Sequence, residues 1–366
     1  MSSQFLLLIV SGSALFCYAI ERRVAWIAHV SSVGLLIFLA MLLSQLGLVP
    51  SHSELYDLFQ GPFVLTAIIL LILDFRIQDI LKVPIKIIAV YVFGAFGSIL
   101  GGLIAGAVAA NSLGIDAYKI AAQLTASYIG GVENAAAMQK LLEIPNTYFI
   151  AVLTVDIVVT CLWLQLVIWY GNDKGEEIKI SEEEGTPLEG VRVSIVSILT
   201  CLFVSLGILI LSSFLAKNIG FMHKILWLSI LALCAGQIPF LRAQFKSAYV
   251  LGAVLFAGFF FSVGASTDFK AILQLPKVLI LMPFIVIFTH GLFIIISAYI
   301  FKLNKIVYSV TSQSLIGGPG SAVAVAQVRK WKSGVAIAII LGILGYSIAN
   351  FFGKFVFNFL QFISPL

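Results

Sequence analysis

Two short stretches of this chain combine paired glycines with small polar residues inside long apolar surroundings. The first runs over 127–138 and contains Gly130, Gly131, Glu133 and Asn134, and the second runs over 314–325, directly after the polar residues 311–313. Paired glycines break a helix, and a break at membrane depth leaves N–H and C=O groups without helical partners. Such groups are tolerated where they face a cavity, an ion or other protein. The two stretches therefore predict a binding site near the middle of a membrane.

The first stretch offers a carboxylate and an amide directly after its glycine pair. If a helix begins there, its free N–H groups and positive dipole end favour an anionic group of a substrate. Asn134 adds a hydrogen-bond donor and an acceptor. Glu133 is a candidate carrier of a proton or a sodium ion, because a carboxylate at that depth is costly unless it is paired or protonated. The alternative role for Glu133 is a helix cap that packs against neighbouring protein.

The second stretch is rich in neutral hydroxyl and amide groups. These groups suit carboxylate or hydroxyl recognition and sodium coordination, although Ser and Thr also serve as packing contacts between membrane helices. The candidate substrate-binding residues are Gly130, Gly131, Asn134, His290, Gln313, Ser314, Gly317, Gly318, Gly320 and Ser321. The candidate ion-coupling residues are Ser127, Glu133, Thr154, Asp156, Thr311 and Ser312.

Two of these candidates are ionisable residues inside strongly apolar segments. An intramembrane Asp is a functional candidate by default, so Asp156 with Thr154 beside it is the second candidate for ion coupling. His290 is either a proton relay or substrate donor, or a hydrogen-bond partner of a neighbouring helix. The sequence contains no metal-spaced His/Cys set and no phosphate-binding glycine loop. We therefore expect no enzyme and no cofactor, with Na⁺ or H⁺ as the coupling ion.

Composition places these residues in a membrane protein. Hydrophobic residues make up 61% of the 366 residues and charged residues 11%, with a mean hydropathy of +1.09. Soluble domains carry about 25% charged residues, so an all-α polytopic membrane protein is predicted. The net charge of +5 is spread over the loops, without a basic cluster for nucleic acid. We expect membrane lipid and a small solute as partners, and a bacterial inner (cytoplasmic) membrane as the location.

Apolar runs long enough to cross a bilayer divide the chain into two similar halves. Residues 1–170 contain five predicted spans and a broken segment at 117–143, and residues 191–366 repeat this order with a broken segment at 303–330. The linker between the halves, 171–190, is acidic and hydrophilic. If each broken segment is a re-entrant hairpin, the two repeats are inverted; if each crosses the membrane, they are parallel. The hairpin arrangement places more of the 22 lysines and arginines inside, and we predict it.

A second pair of blocks supports the repeat. The block 74–84 and the block 266–276 both contain Asp-Phe followed by a basic residue, then Ile-Leu-x-x-Pro. The offset between the blocks is 194 at Asp-Phe and 192 at the proline, so a two-residue gap is needed. Both blocks follow the third span of their half, which predicts an internal repeat.

These motifs resemble those of a known family of membrane proteins. The stretch 127–137 is similar to the first signature of the YjcL-like membrane proteins, domain-of-unknown-function family 819, and 314–322 resembles that family's second signature, A-x-I-G-G-P-x-[ST]-A. Further similarities lie at 259–268, His290 and 342–346. The resemblance covers nearly the whole chain and implies a polytopic helical fold without a settled substrate. More distantly, the paired hairpins look like those of 2-hydroxycarboxylate and glutamate:sodium symporters. Discontinuous helices that meet at mid-membrane are also similar to those of bile-acid symporters and cation:proton antiporters.

The sequence therefore predicts a secondary active transporter of a small, anionic organic solute. It is expected to be coupled to sodium or protons, to work by alternating access and to form a homodimer. A cation:proton antiporter that uses Glu133 and Asp156 is the nearest alternative. A third interpretation, from a different class, is a non-transporting membrane receptor or assembly subunit that docks through the linker 171–190.

Overall fold

The computed structural model describes residues 2–23, 32–172, 194–219, 222–267, 270, 274–329 and 331–365. Two predicted features fall largely outside these ranges: residues 173–190 of the acidic linker, and residues 268–269 and 271–273 of the second repeat block. The described residues form helices and no strand.

Before the linker, the described residues form eight helices: α1 (Ser3–Arg23), α2 (Ser32–Gln45), α3 (Glu54–Leu58), α4 (Val64–Leu73), α5 (Ile77–Ile80), α6 (Ile85–Leu113), α7 (Ile115–Leu142) and α8 (Asn146–Tyr170). A π-helical turn at Phe59–Phe63 joins α3 to α4. It contains Pro62, which has no backbone N–H and so cannot continue a regular α-helix without a break.

After the linker, the described residues form α9 (Ile195–Ile219), α10 (Lys224–Gly236), α11 (Ala248–Ala265), α12 (Val278–Phe301), α13 (Lys305–Ile316), α14 (Gly318–Val328) and α15 (Lys332–Ile363). A 3₁₀ turn at Arg242–Ser247 leads into α11.

Eight helical segments among the described residues are long and apolar enough to cross a membrane. They are Ser3–Glu21, Glu54–Leu73, Ile85–Leu113, Asn146–Tyr170, Ile195–Ile219, Arg242–Ala265, Val278–Phe301 and Ser333–Ile363. The shorter apolar helices α2 and α10 bring the number to five on each side of the linker. The predicted fold class, an all-helical polytopic membrane protein, is confirmed.

The helix α7 is not straight. Its backbone leaves helical values at Gly130 (φ −142°, ψ 21°) and Gly131 (φ 76°, ψ 176°), and the residues after the break turn back beside those before it. A Cβ atom placed on Gly353 of α15 would lie 2.8 Å from both Ala122 O and Met138 Sδ. A straight helix would separate Ala122 from Met138 by about 24 Å. The two arms of α7 therefore form a hairpin, called the first hairpin below.

The helices α13 and α14 form the second hairpin. Near the start of α13, Ser309 packs against Gly171 at the C-terminal end of α8. Directly after α14, Arg329 donates hydrogen bonds to Asn172 Oδ1 (2.8 Å) and to Ile168 O. Because both outer ends of this segment lie at the same end of α8, its two arms also run out and back.

The two hairpins approach from opposite ends of α8. In the first arm of α7, Gln123 donates to Phe149 O near the beginning of α8 (3.5 Å). Ser127, one turn nearer the break, donates to Asp156, two turns further along α8 (2.6 Å). This arm therefore rises in the same direction as α8, from the end opposite to the second hairpin. Opposed hairpins are what inverted halves require, and the internal repeat itself stays a prediction.

The helices α6 and α12 cross where glycines bring their backbones together. A Cβ on Gly97 would lie 2.9 Å from His290 Cα, and one on Gly101 would lie 2.7 Å from Val286 Cα. Position rises along α6 while it falls along α12, so the helices are antiparallel. Ser98 and His290, which are 192 positions apart, contact each other with a distance of 3.1 Å between Ser98 Oγ and His290 Nδ1. Ser98 and His290 would be equivalent positions of the two predicted repeats. Equivalent positions are expected to contact each other beside a two-fold axis that relates the repeats.

The helices are arranged as two bundles. The hairpin bundle contains α6–α8 and α12–α15, and the flanking bundle contains α1–α4 and α9–α11. Within the hairpin bundle α15 runs along α7 and α12 along α6, and within the flanking bundle α11 packs on α2 and α4. Contacts between the bundles are much sparser and run along α4, α10 and α11. The break in α7 faces α11 across this boundary.

The hairpin geometry predicts which ends of the broken segments share a membrane face. In a variant whose four native cysteines are replaced by serine, single cysteines at the exposed positions Ser112 and Glu143 should be labelled by an impermeant maleimide from one side. Cysteines at the exposed positions Lys302 and Gln327 should be labelled from the other side. Labelling of Ser112 and Glu143 from opposite faces would show that α7 crosses the membrane.

Candidate functional site

The two glycine breaks come together at one side chain of the last helix, Tyr346. Gly131 and Gly318 have φ values of 76° and 69°, which favour glycine over any residue with a Cβ. A Cβ on Gly131 would lie 3.6 Å from Tyr346 Cε1, and one on Gly318 would lie 3.2 Å from Tyr346 Oη. The ring of Tyr346 thus contacts both tips. The two tips, which approach from opposite ends of α8, meet here, and a binding site in the middle of the membrane stays a prediction.

An amide side chain closes the first break. Asn134 Nδ2 donates to Gly130 O at 2.6 Å, which satisfies a carbonyl that the interrupted helix leaves without a partner. The last helix lies against the same point, because a Cβ on Gly130 would be 2.6 Å from Gly345 O and 2.8 Å from Ala349 Cβ. The predicted substrate ligand Asn134 therefore holds the turn of its own hairpin, and its buried amide does not line the cavity described below.

A second amide bridges the other break. Gln313 Nε2 donates to Ser321 Oγ (3.0 Å), and Ser321 Oγ donates to Gly318 O (3.3 Å). Gln313 Oε1 is buried and has no hydrogen-bond partner among the described residues. Gly317 leaves room for these two side chains, and Gly320 is exposed with no heavy atom within 4 Å of an added Cβ. The predicted residues of the second tip lie close together, and their polar groups also form hydrogen bonds mainly with one another.

Some of the predicted ion-coupling residues contact one another, and others do not. Asp156, which is 2% exposed, accepts hydrogen bonds from Ser127 Oγ at Oδ2 (2.6 Å) and from Thr160 Oγ1 at Oδ1 (3.4 Å). This cluster joins the first hairpin to α8. Thr154 is exposed and donates to Ile150 O of its own helix (2.8 Å), so it lies outside the cluster.

His290 is the centre of a hydrogen-bond chain between helices. Trp163 Nε1 donates to Ser312 Oγ (3.0 Å), which lies 2.8 Å from His290 Nε2, and His290 Nδ1 lies 2.9 Å from Gly94 O. A carbonyl only accepts, so Nδ1 carries the proton and Nε2 accepts from Ser312. Both ring nitrogens therefore bond to protein at full burial. This is the contact between helices that the sequence left open as one of two roles for His290.

The two remaining candidates lie in the first arm of the second hairpin. Ser314 Oγ donates to Val310 O one turn back in the same helix (2.8 Å). The buried hydroxyl of Thr311 has no hydrogen-bond partner among the described residues.

Glu133 lines a cavity beside the first tip. The cavity, of about 50 Å³, lies between the first tip and the flanking bundle. Its other walls come from α1, α2 and α11: Tyr18, Ser32, Val33, Leu36, Tyr249, Ala253, Phe256, Ala257 and Phe260. Tyr18, Tyr249 and Tyr346 lie within electrostatic range of the Glu133 carboxylate. Within the described residues no lysine or arginine forms an ion pair with Glu133.

Sequence reasoning assigned no role to the aromatic residues of this region. Tyr346, which lies between the tips, follows Gly342 and Gly345 in the last span. Gly342 packs on Pro319, since a Cβ there would lie 2.6 Å from Pro319 Cα. The pattern Gly342-x-x-Gly345-Tyr346 in a membrane span thus indicates a helix that packs closely against the tips. Tyr18, Tyr249 and Phe256 lie in ordinary apolar runs that no local pattern marks, and Phe260 lies in the family-like stretch 259–268 without a predicted role.

Ten apolar helices and two broken hairpins among the described residues define a polytopic α-helical integral membrane protein. The chain belongs to the family described as protein of unknown function (DUF819), which matches residues 6–363. It is also similar to the uncharacterized membrane protein YjcL of Bacillus subtilis (strain 168), with 24% identity over 367 residues that cover 93% of this chain and 92% of the relative. The family resemblance is confirmed, and the similarity to symporters and antiporters stays a prediction.

Two of the glycines of the second tip are expected to respond differently to an added methyl group. Gly318→Ala places a Cβ at positive φ and against Tyr346, and we expect a loss of about 1–2 kcal/mol in stability. Gly320→Ala meets open space and should be neutral. Thermal unfolding of the purified variants in detergent measures both. Equal melting temperatures for Gly318→Ala and Gly320→Ala would show that the tip is not held as described.

Proposed function

We propose that this protein is a secondary active transporter of a small organic solute, coupled to sodium or protons. The observation that carries the proposal is the meeting of two broken hairpins, from opposite ends of α8, at Tyr346. Broken helices whose ends meet at mid-membrane supply backbone groups and small side chains to a substrate in many transporters. The cavity beside Glu133 lies on the flanking-bundle side of the first tip.

The two-bundle arrangement suggests how access would alternate. Packing is dense within the hairpin bundle and sparse at its boundary with the flanking bundle. A densely packed bundle moves more readily as one body than it deforms, and sparse boundaries are where such bodies slide. The cavity has walls from both bundles. Movement of one bundle against the other would therefore open the cavity first to one face and then to the other.

We assign ion coupling to Glu133 and a positioning role to Asp156. Glu133 faces the cavity from the first turn after the break, so an ion bound there would be exchanged as the bundles move. The carboxylate of Asp156 instead accepts hydrogen bonds from Ser127 and Thr160 inside the hairpin bundle. Those bonds fix the first arm of the hairpin to α8.

Cation:proton antiport is the second candidate function. The observation that favours it is that, among the described residues that line the cavity, Glu133 is the only one with a carboxyl group and none is a lysine, arginine or histidine. A single carboxylate that binds either a proton or a metal cation is sufficient for exchange of one for the other. In this case no organic solute is required.

Other parts of the proposal rest on the sequence. They are a homodimer in a bacterial inner membrane, no enzymatic reaction, and no cofactor apart from the coupling ion. Exposed apolar side chains on α1 and α9, such as Leu8, Phe203 and Phe214, offer surfaces for lipid or a second copy of the chain.

Transport in proteoliposomes tests the proposal. Solutes that stabilise the purified protein in a thermal-shift screen are offered to vesicles with an imposed sodium or proton gradient, and gradient-driven accumulation is expected. Glu133→Gln should abolish the gradient dependence, because its neutral amide carries no exchangeable proton and supplies no negative charge to hold a sodium ion. The matched control Glu143→Gln, at the exposed end of α7, should transport normally.

The same vesicles separate the alternatives. Cation–proton exchange without any organic solute would favour the antiporter. Gradient dependence that survives in Glu133→Gln would move ion coupling to Asp156. Absence of both solute flux and cation exchange in the wild-type protein would contradict transport.

A further inference from the structure

We infer that the cavity at the first hairpin tip binds the head group of an organic cation, such as a substituted ammonium. This inference rests on the proposed function, since it names the class of solute that the same cavity would take. It departs from the anionic solute that the sequence suggested, and the reason lies in the cavity walls.

Aromatic rings form much of these walls. Tyr18 of α1 and three residues of α11, Tyr249, Phe256 and Phe260, line the cavity together with Glu133. The rings of Phe256 and Phe260 stack, with centroids 5.8 Å apart and an interplanar angle of 26°. Aromatic faces attract a cation through their quadrupoles, and clusters of such faces are a common way to hold an ammonium group.

Among the described residues that line the cavity, one has a carboxyl group and none is a lysine, arginine or histidine. The carboxyl group is that of Glu133, and when it is ionised it places one negative charge in the cavity. The positive end of the second arm of α7 amounts to about half a charge, which is less than the carboxylate supplies. The net field therefore favours a cation. An anionic head group would face Glu133 without a compensating base.

The lysine on the same arm does not reverse this balance. Lys140 lies seven residues after Glu133, about 10 Å along the helix, and it is not part of the cavity lining. Its Nζ lies 6.0 Å from the centroid of the Phe259 ring. Lys140 thus shows that the adjoining aromatic surface of α11 already accommodates one ammonium group.

The size of the cavity sets the size of the group that enters. A volume of about 50 Å³ holds an ion or a small head group, whereas an apolar cavity of about 150 Å³ holds a benzene molecule. A primary or methylated ammonium matches the smaller volume. The rest of a larger solute would extend along the boundary between the two bundles.

Binding of simple ammonium salts tests the inference in the full-length protein. Methylammonium, dimethylammonium and tetramethylammonium chlorides are compared with potassium chloride at equal ionic strength, and potassium acetate serves as the anionic probe. Saturable stabilisation by at least one ammonium ion is expected in thermal-shift and calorimetric titrations, and none by acetate. Glu133→Gln should weaken ammonium binding about tenfold or more, and Glu143→Gln should leave it unchanged.

A pair of substitutions at Tyr249 keeps the test decisive if Glu133→Gln fails to fold. Tyr249→Phe retains the ring and should bind ammonium within about twofold of wild type, whereas Tyr249→Leu removes the ring and should weaken binding about tenfold. Equal loss in both variants would overturn the aromatic role. Stabilisation of the wild-type protein by acetate and not by ammonium would overturn the inference as a whole.

The outcomes also separate this inference from the proposed function. Solute flux that no ammonium ion inhibits would overturn the cation site and leave transport standing. Ammonium binding that depends on Glu133 and the Tyr249 ring, without flux of any solute or ion, would support the cation site and contradict transport.

Discussion

A helix that stops inside a membrane leaves backbone groups with neither a helical partner nor water, and this constraint governs the whole structure. At both breaks, side chains of the same hairpin supply hydrogen bonds to the interrupted backbone. Asn134 donates its amide to Gly130 O, and Gln313 donates to Ser321, which in turn reaches Gly318 O. Each tip therefore carries its own polar partner. The side chains that make the breaks possible are then largely occupied, which explains why so few of them face the cavity.

Covering the breaks also requires helices that can come close. Glycines supply this closeness: Gly345 and Gly353 let α15 lie against the first hairpin, and Gly97 and Gly101 let α6 lie against α12. At that crossing His290 bonds to Gly94 O and Ser312, so it ties α6, α12 and the second hairpin into one unit. A rigid hairpin bundle follows from these contacts. The looser boundary along α4, α10 and α11 then becomes the natural plane of movement.

Much of this fold could be predicted from the sequence, because long apolar runs indicate membrane spans and paired glycines indicate helix breaks. The five apolar helices per half and the two breaks follow from such local signals. The cavity walls do not. Tyr249 and Phe256 look like ordinary span residues, and only the packing of α11 across from the first tip gives them a role. Sequence reasoning placed Asn134 in the pocket for a related reason, since the direction of a side chain at a break depends on the turn and not on its composition.

The partner that covers the first hairpin has a consequence for how the protein is made. Tyr118, near the start of α7, donates to Ser364 O, 246 residues later, and α15 packs along both arms of α7. During synthesis the ribosome will have released the first hairpin long before its partner exists. Until α15 inserts, protein does not fully cover the two arms, and their polar side chains Gln123 and Thr125, which are buried in the folded protein, are not fully separated from lipid. Assembly of the first half must therefore finish after the second half has been translated, when α15 packs against the first hairpin.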